Sequence, residues 1–89
     1  MKVEWDPAKA KSNFRKHGIP LADAVAALED EQAITVADER DLEERWVTLG
    51  MDALARVLVV VYTWREDAVR LISARQATAS EREIYEEER

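Results

Sequence analysis

The side chains able to hold an anion are concentrated in two groups. Lys9, Lys11, Arg15 and Lys16 precede His17 near the start of the chain, and Arg65, Arg70, Arg75 and Arg82 follow one another towards its end. A guanidinium stays charged at physiological pH and offers forked donors that match phosphate oxygens. Lys9 and Lys16 are seven residues apart, two helical turns, so on a helix they share one face. His17, the single histidine, is the one side chain whose ordinary pKa lies near neutrality. Cations beside a group that can exchange a proton at pH 7 suit a phosphate-binding surface. The competing reading is plain: a solvated basic helix face, and arginines paired with the many acids.

The elements that must position these groups are legible in the hydrophobic pattern. Arg56 to Arg65 is the most β-prone run, apolar on both faces, which predicts a central strand covered on each side. Glu66-Asp67 is a turn signal and Ala68 to Arg75 returns as a second strand, giving a hairpin with arginines at its ends. Without an Asn-Gly pair, the length and register of this turn stay open. Lys2 to Trp5 alternates as a short opening strand. Asp6-Pro7 is a helix start, Asp as N-cap and Pro at the first helical position, and Gly18 stops that helix after Lys16 and His17. Pro20 opens a second helix, Leu21 to about Glu29, with Leu21, Ala24, Val25 and Leu28 on one face.

Ala33 to Ala37 is a brief strand, Ala37 to Leu42 a charged loop, and Glu43 to Leu49 an alternating strand ending at Gly50. Its Arg45, Val47 and Leu49 share one face, and Glu44, Trp46 and Thr48 the other. A turn near Met51 to Leu54 follows. Thr78 or Ser80 starts a last helix, Ser80 with Glu83 having capping-box spacing, and Glu86 to Arg89 is expected to fray. The order β-α-α-β-β-β-β-α predicts an α+β fold: an antiparallel sheet of four to five strands, two N-terminal helices and one C-terminal helix.

Composition limits the function classes. Eighty-nine residues with 47% hydrophobic content are enough for one domain, residues 1–89, around one core. The absence of cysteine excludes disulfides and thiolate metal sites, and a lone histidine argues against zinc. No stretch reaches the roughly 18 apolar residues of a membrane span, so a cytoplasmic protein is the expectation. The net charge of −6 disfavours nonspecific nucleic-acid binding but allows a local basic site.

Trp5-Asp6-Pro7-Ala8-Lys9, then Asn13 and Lys16-His17-Gly18, stand at a characteristic spacing. So do Glu44-Arg45-Trp46, Gly50, Tyr62-Thr63 with Arg65, and Ile72-Ser73-Ala74-Arg75 with Ala77-Thr78, Glu81-Arg82 and Tyr85. This ordered set, from Val3 to Tyr85, resembles the BrnT family of toxins. The resemblance implies a small RelE-like fold and an endoribonuclease that blocks translation without a metal or other cofactor. It also implies neutralisation by a BrnA-like ribbon-helix-helix antitoxin in a hetero-oligomer, which would reach DNA only through the antitoxin. This chain is more acidic than many members.

RNA cleavage of that kind needs a base for the 2′-OH proton, cations for the charged phosphorane and an acid for the leaving 5′-oxygen. The candidates for the catalytic set are Lys9, His17, Arg65, Arg75 and Arg82, with Arg15, Lys16 and Tyr85 on the RNA. Arg75 and Arg82 flank a strand-to-helix junction and could share a patch. His17 is equally suited to proton transfer and to interaction with the carbonyls of a helix end. Glu44 is a base or an arginine partner, and Tyr85 stacks a base, donates a proton or packs in the core. Trp5, Trp46 and Trp64 are either a base-stacking set or core residues; Trp5 and Trp46 read as core. Two functions follow, a ribonuclease and a non-catalytic module that only grips its antitoxin. An adaptor unrelated to either is the weaker third.

Overall fold

The structure, a computed structural model, describes residues 1–38 and 44–87. Of the loop expected from Ala37 to Leu42, Ala37 and Asp38 instead extend the strand Ile34–Asp38; residues 39–42, the strand start at Glu43 and the tail residues Glu88 and Arg89 lie outside the described residues. The described elements are β1 (Lys2–Glu4), α1 (Pro7–His17), a 3₁₀ turn (Leu21–Asp23), α2 (Ala24–Leu28), β2 (Ile34–Asp38), β3 (Arg45–Met51), β4 (Val57–Arg65), β5 (Ala68–Gln76) and α3 (Ala79–Glu87). They form an α+β fold on a five-stranded sheet in the order β1-β5-β4-β3-β2.

The apolar run does occupy the centre: β4 lies between β5 and β3, and Val57 to Val60 are all buried. One face, with Leu58, Val60, Tyr62, Val69 and Leu71, packs against Ile19, Leu21, Ala24 and Ala27 on the helical side. Trp5 and Trp46 close the margin of this core, as their surroundings in the sequence suggest. The opposite face, with Val57 and Val59, receives Ala77 and Tyr85 of the C-terminal segment. Each fully buried aliphatic side chain contributes about 2 kcal/mol from removed apolar surface.

Three local features differ from the sequence pattern. β1 joins β5 in parallel, so the sheet is mixed: everything from α1 to β4 lies between the two strands in the chain, a long connection of the kind a parallel pair needs and a hairpin cannot supply. The second helix opens as a 3₁₀ turn before its α-helical part. β3 does not stop at Gly50 but runs through it to Met51. Gly50 is there for space, because a Cβ would lie 2.1 Å from the Ala27 carbonyl oxygen of α2.

The β4–β5 hairpin closes through Glu66-Asp67, with Arg65 paired to Ala68 and Glu66 at φ 57°. Further along, Val61 pairs with Ser73 but Tyr62 with Leu71, which leaves Ile72 as a β-bulge.

Candidate functional site: a basic groove between α1 and β5

The bulge and the first helix together make a groove. β1 pairs with β5 only from Ala68 to Arg70, so the later part of β5 has an open edge whose backbone groups need partners. Asn13, in the middle of α1 and only 5% exposed, supplies them. Its side-chain nitrogen donates to the Ala74 carbonyl at 2.8 Å and to the Ile19 carbonyl at 2.9 Å, and its oxygen accepts from the Ala74 N–H at 3.0 Å. The amide thus takes the place of a neighbouring strand and fixes α1 over the edge. Asparagine is a poor residue for a helix interior, and here the polar clamp outweighs that cost.

Around this clamp lies a solvent-open cavity of about 210 Å³, lined by Lys9, Ser12, Lys16 and His17 of α1 and by Ile72 and Ser73 of the bulge. Asp6 caps the helix, its carboxylate accepting from the Ala8 N–H at 2.8 Å, and Gly18 ends it at φ 71°. The cap sets which turn faces the sheet, and the glycine places His17 in the last turn beside Lys16. No residue lining the groove is acidic, although the chain as a whole carries a charge of −6. Two ammonium groups, an imidazole and two hydroxyls can bind a phosphodiester and exchange protons with it. The same set holds one imidazole and no carboxylate, too few donors for a hard divalent cation.

The remaining candidates lie elsewhere. Arg65 lines a separate hollow at the hairpin tip with Lys2, Glu66 and Asp67. Arg15 is exposed on α1 and does not line the groove. Arg75 and Arg82 have different surroundings rather than one shared patch. Both terminal nitrogens of Arg75 donate to Glu81 of α3, at 2.8 and 2.9 Å. The Arg75 guanidinium, helped by the Thr78 N–H, holds the Glu81 carboxyl down at about 2. Glu81 in turn raises the pKa of Arg75. A phosphate at Arg75 must compete with this carboxylate.

Arg82 lines a cavity of about 360 Å³ with Arg56, Gln76 and Glu86. Arg56 there is already committed to Asp52 and Asp23 at 2.6 and 2.8 Å. Tyr85 corrects the stacking expectation. At 2% exposure it has no ring face to offer a base, and its hydroxyl donates to Asp30, which also accepts the Met51 N–H. Apolar sheet surface at the α3 side explains the burial. Of the residues that shape the groove, the sequence reading overlooked Ser12 and quoted Asn13 and Ser73 only within the family pattern, without a role. The signal for Asn13 was an asparagine in mid-helix; Ser12 gave none.

Comparison with known proteins agrees with this architecture. Residues 5–81 match the family model of the ribonuclease toxin BrnT of type II toxin–antitoxin systems. The crystal structure of the Brucella abortus ribonuclease toxin BrnT superposes with a TM-score of 0.69 at 27% identity, covering 88% of this chain and 97% of that one. No curated protein matches. With the family model spanning most of its length and the fold shared, the chain belongs to the BrnT family of ribonuclease toxins of type II toxin–antitoxin systems.

Proposed function

We propose that this toxin is a metal-independent endoribonuclease whose scissile phosphate sits in the α1–β5 groove. The observation that carries the reading is the lining itself: Lys9, Lys16 and His17 converge on one cavity that no acidic side chain enters. Neutral His17 takes the proton from the ribose 2′-OH, whose oxygen then attacks the adjacent phosphorus. The ammonium groups of Lys9 and Lys16 offset the charge that builds on the phosphorane oxygens. The P–O5′ bond breaks, a lysine ammonium protonates the leaving oxygen, and the products are a 2′,3′-cyclic phosphate and a 5′-hydroxyl. Cleaving cytoplasmic RNA in this way inhibits translation.

A BrnA-like ribbon-helix-helix antitoxin is the partner in this account. It neutralises the toxin in a hetero-oligomer and supplies the DNA contact, which suits a chain with net negative charge. Incubating the purified chain with total RNA in EDTA tests the reading. Fragments with cyclic-phosphate ends support it, and intact RNA from a well-folded sample contradicts it.

One observation favours a second reading. Arg65, Arg75 and Arg82 lie outside the groove, and Arg75 is held by Glu81, so the arginines do not add to the catalytic set. In that reading the chain is a weakly active module that grips its antitoxin. Absence of cleavage together with stable antitoxin binding would select it.

A further inference from the structure

Trp64 is the tryptophan that the core does not absorb. Trp5 and Trp46 pack against the buried cluster, but Trp64 at the end of β4 is 51% exposed. A lone exposed apolar residue needs no explanation. Trp64 is not alone: it lines one cavity of about 130 Å³ with Trp46, Thr63 and Glu44.

The sheet register explains why these residues meet. Trp46 of β3 pairs with Tyr62 of β4, and side chains two apart along a strand share a face, so Trp64 lies on the same face as Tyr62 and Trp46. Glu44, the residue just ahead of β3, borders the same cavity. The Thr63 hydroxyl donates to the Glu44 carbonyl at 2.8 Å and ties the two strand ends together. The cavity therefore combines an exposed indole, a half-buried indole and an exposed glutamate whose backbone is anchored by Thr63.

We infer that this cavity is a nucleobase subsite with a preference for guanine, formed by Trp64, Trp46 and Glu44. The inference rests on the ribonuclease reading for its ligand, a single-stranded RNA. Unpaired bases are recognised by stacking on aromatic rings and by hydrogen bonds to their Watson–Crick edges. An indole face accepts any base, so Trp64 provides affinity without discrimination. Discrimination falls to Glu44, which in its ionised form only accepts hydrogen bonds. Guanine alone presents two adjacent donors on that edge, N1–H and the N2 amino group, and they match the two oxygens of a carboxylate. Adenine presents one amino donor beside an acceptor, which the carboxylate repels. The volume suits one heterocyclic base.

The test follows the indole N–H signals of the three tryptophans by NMR while guanosine 5′-monophosphate or adenosine 5′-monophosphate is added, with Trp64→Phe used for assignment. The Trp64 signal is expected to move saturably, with guanosine monophosphate binding about tenfold tighter, a difference of one bidentate pair. Glu44→Gln should remove that preference and leave adenosine monophosphate binding unchanged. Trp64→Leu should weaken both nucleotides in a protein that keeps its melting temperature. An unmoved Trp64 signal, or a preference that survives Glu44→Gln, overturns the subsite. A still signal with loss of antitoxin binding in Trp64→Leu overturns it in favour of a protein interface. Cleavage of total RNA, measured on the same samples, separates failure of the subsite from failure of the ribonuclease reading.

Discussion

Two basic regions of this molecule carry similar charge and put it to opposite use. In the α1–β5 groove, Lys9, Lys16 and His17 surround an open cavity with no acid in its lining. Across β5, at the junction with α3, Arg75 is engaged by Glu81, Arg56 by Asp52 and Asp23, and Arg82 shares its cavity with Glu86. A count of cations therefore does not locate a site. Arginine is the better phosphate ligand, yet here it serves as a brace, because its fork suits a carboxylate equally well. The lysines, on a helix that contains no acid, keep their charge available to a ligand.

The largest effect that would break this contrast is on catalysis. Lys9→Ala/Lys16→Ala should lower the RNA cleavage rate by about a hundredfold or more, the scale of a lost electrostatic stabiliser. Arg82→Ala should leave cleavage within about threefold, since only a lost transition-state contact costs more. Equal losses in both variants, measured as initial rates on one RNA, would erase the distinction.

Next in size is the clamp that builds the groove. Asn13→Ala leaves the Ala74 N–H and C=O and the Ile19 carbonyl without this partner, in a buried setting. Orphaned buried groups cost about 1–3 kcal/mol each, so a stability loss of about 3 kcal/mol in urea unfolding is expected, with cleavage reduced as the groove opens. A loss below about 1 kcal/mol would mean that α1 is held by its apolar contacts alone.

The brace at α3 should behave as a structural ion pair. With side chains 39% and 28% exposed, Arg75 and Glu81 are partly screened, and Arg75→Ala should cost about 1 kcal/mol. The sign of the pH dependence follows from the depressed Glu81 pKa. Its stabilisation is complete above the ordinary value of 4.5 and is lost as pH falls towards about 2. Glu81→Gln should therefore be less stable than the parent at pH 7 and equal to it near pH 2, as read by thermal melts across that range. A difference that persists at low pH would assign the effect to packing instead.

The smallest expected effect is at Tyr85. Tyr85→Phe keeps the buried ring and removes one hydroxyl donor to Asp30, so about 1 kcal/mol of stability should go and cleavage should stay. A marked loss of cleavage would return Tyr85 to the site.

Much of this frame was legible from residue types. The Asp6-Pro7 start and Gly18 stop fixed α1 through known cap chemistry, and the doubly apolar run placed β4 at the sheet centre. Alternation correctly split Trp46 and Thr48 from Val47 and Leu49. What stayed hidden depends on contacts distant in sequence. The parallel pairing of β1 with β5, the bulge at Ile72 and the close approach of Ala27 to Gly50 each involve partners far along the chain. For the candidate site, the spacing of Lys9, Lys16 and His17 was readable because one helix carries all three. Whether an arginine meets a phosphate or a carboxylate was not, since Arg75 and Glu81 fit both descriptions until the strand and helix are set side by side.

In the proposed mechanism proton transfer belongs to the α1 groove and not to the α3 junction. The most direct test is the initial rate of RNA cleavage in EDTA for the parent chain, His17→Gln and Arg75→Ala. Arg75→Ala is expected to stay within about threefold of the parent, whereas His17→Gln should be slower by about 10²–10⁴-fold, the usual contribution of a positioned acid–base group. A His17→Gln rate close to the parent's, with the large loss in Arg75→Ala instead, would contradict this assignment.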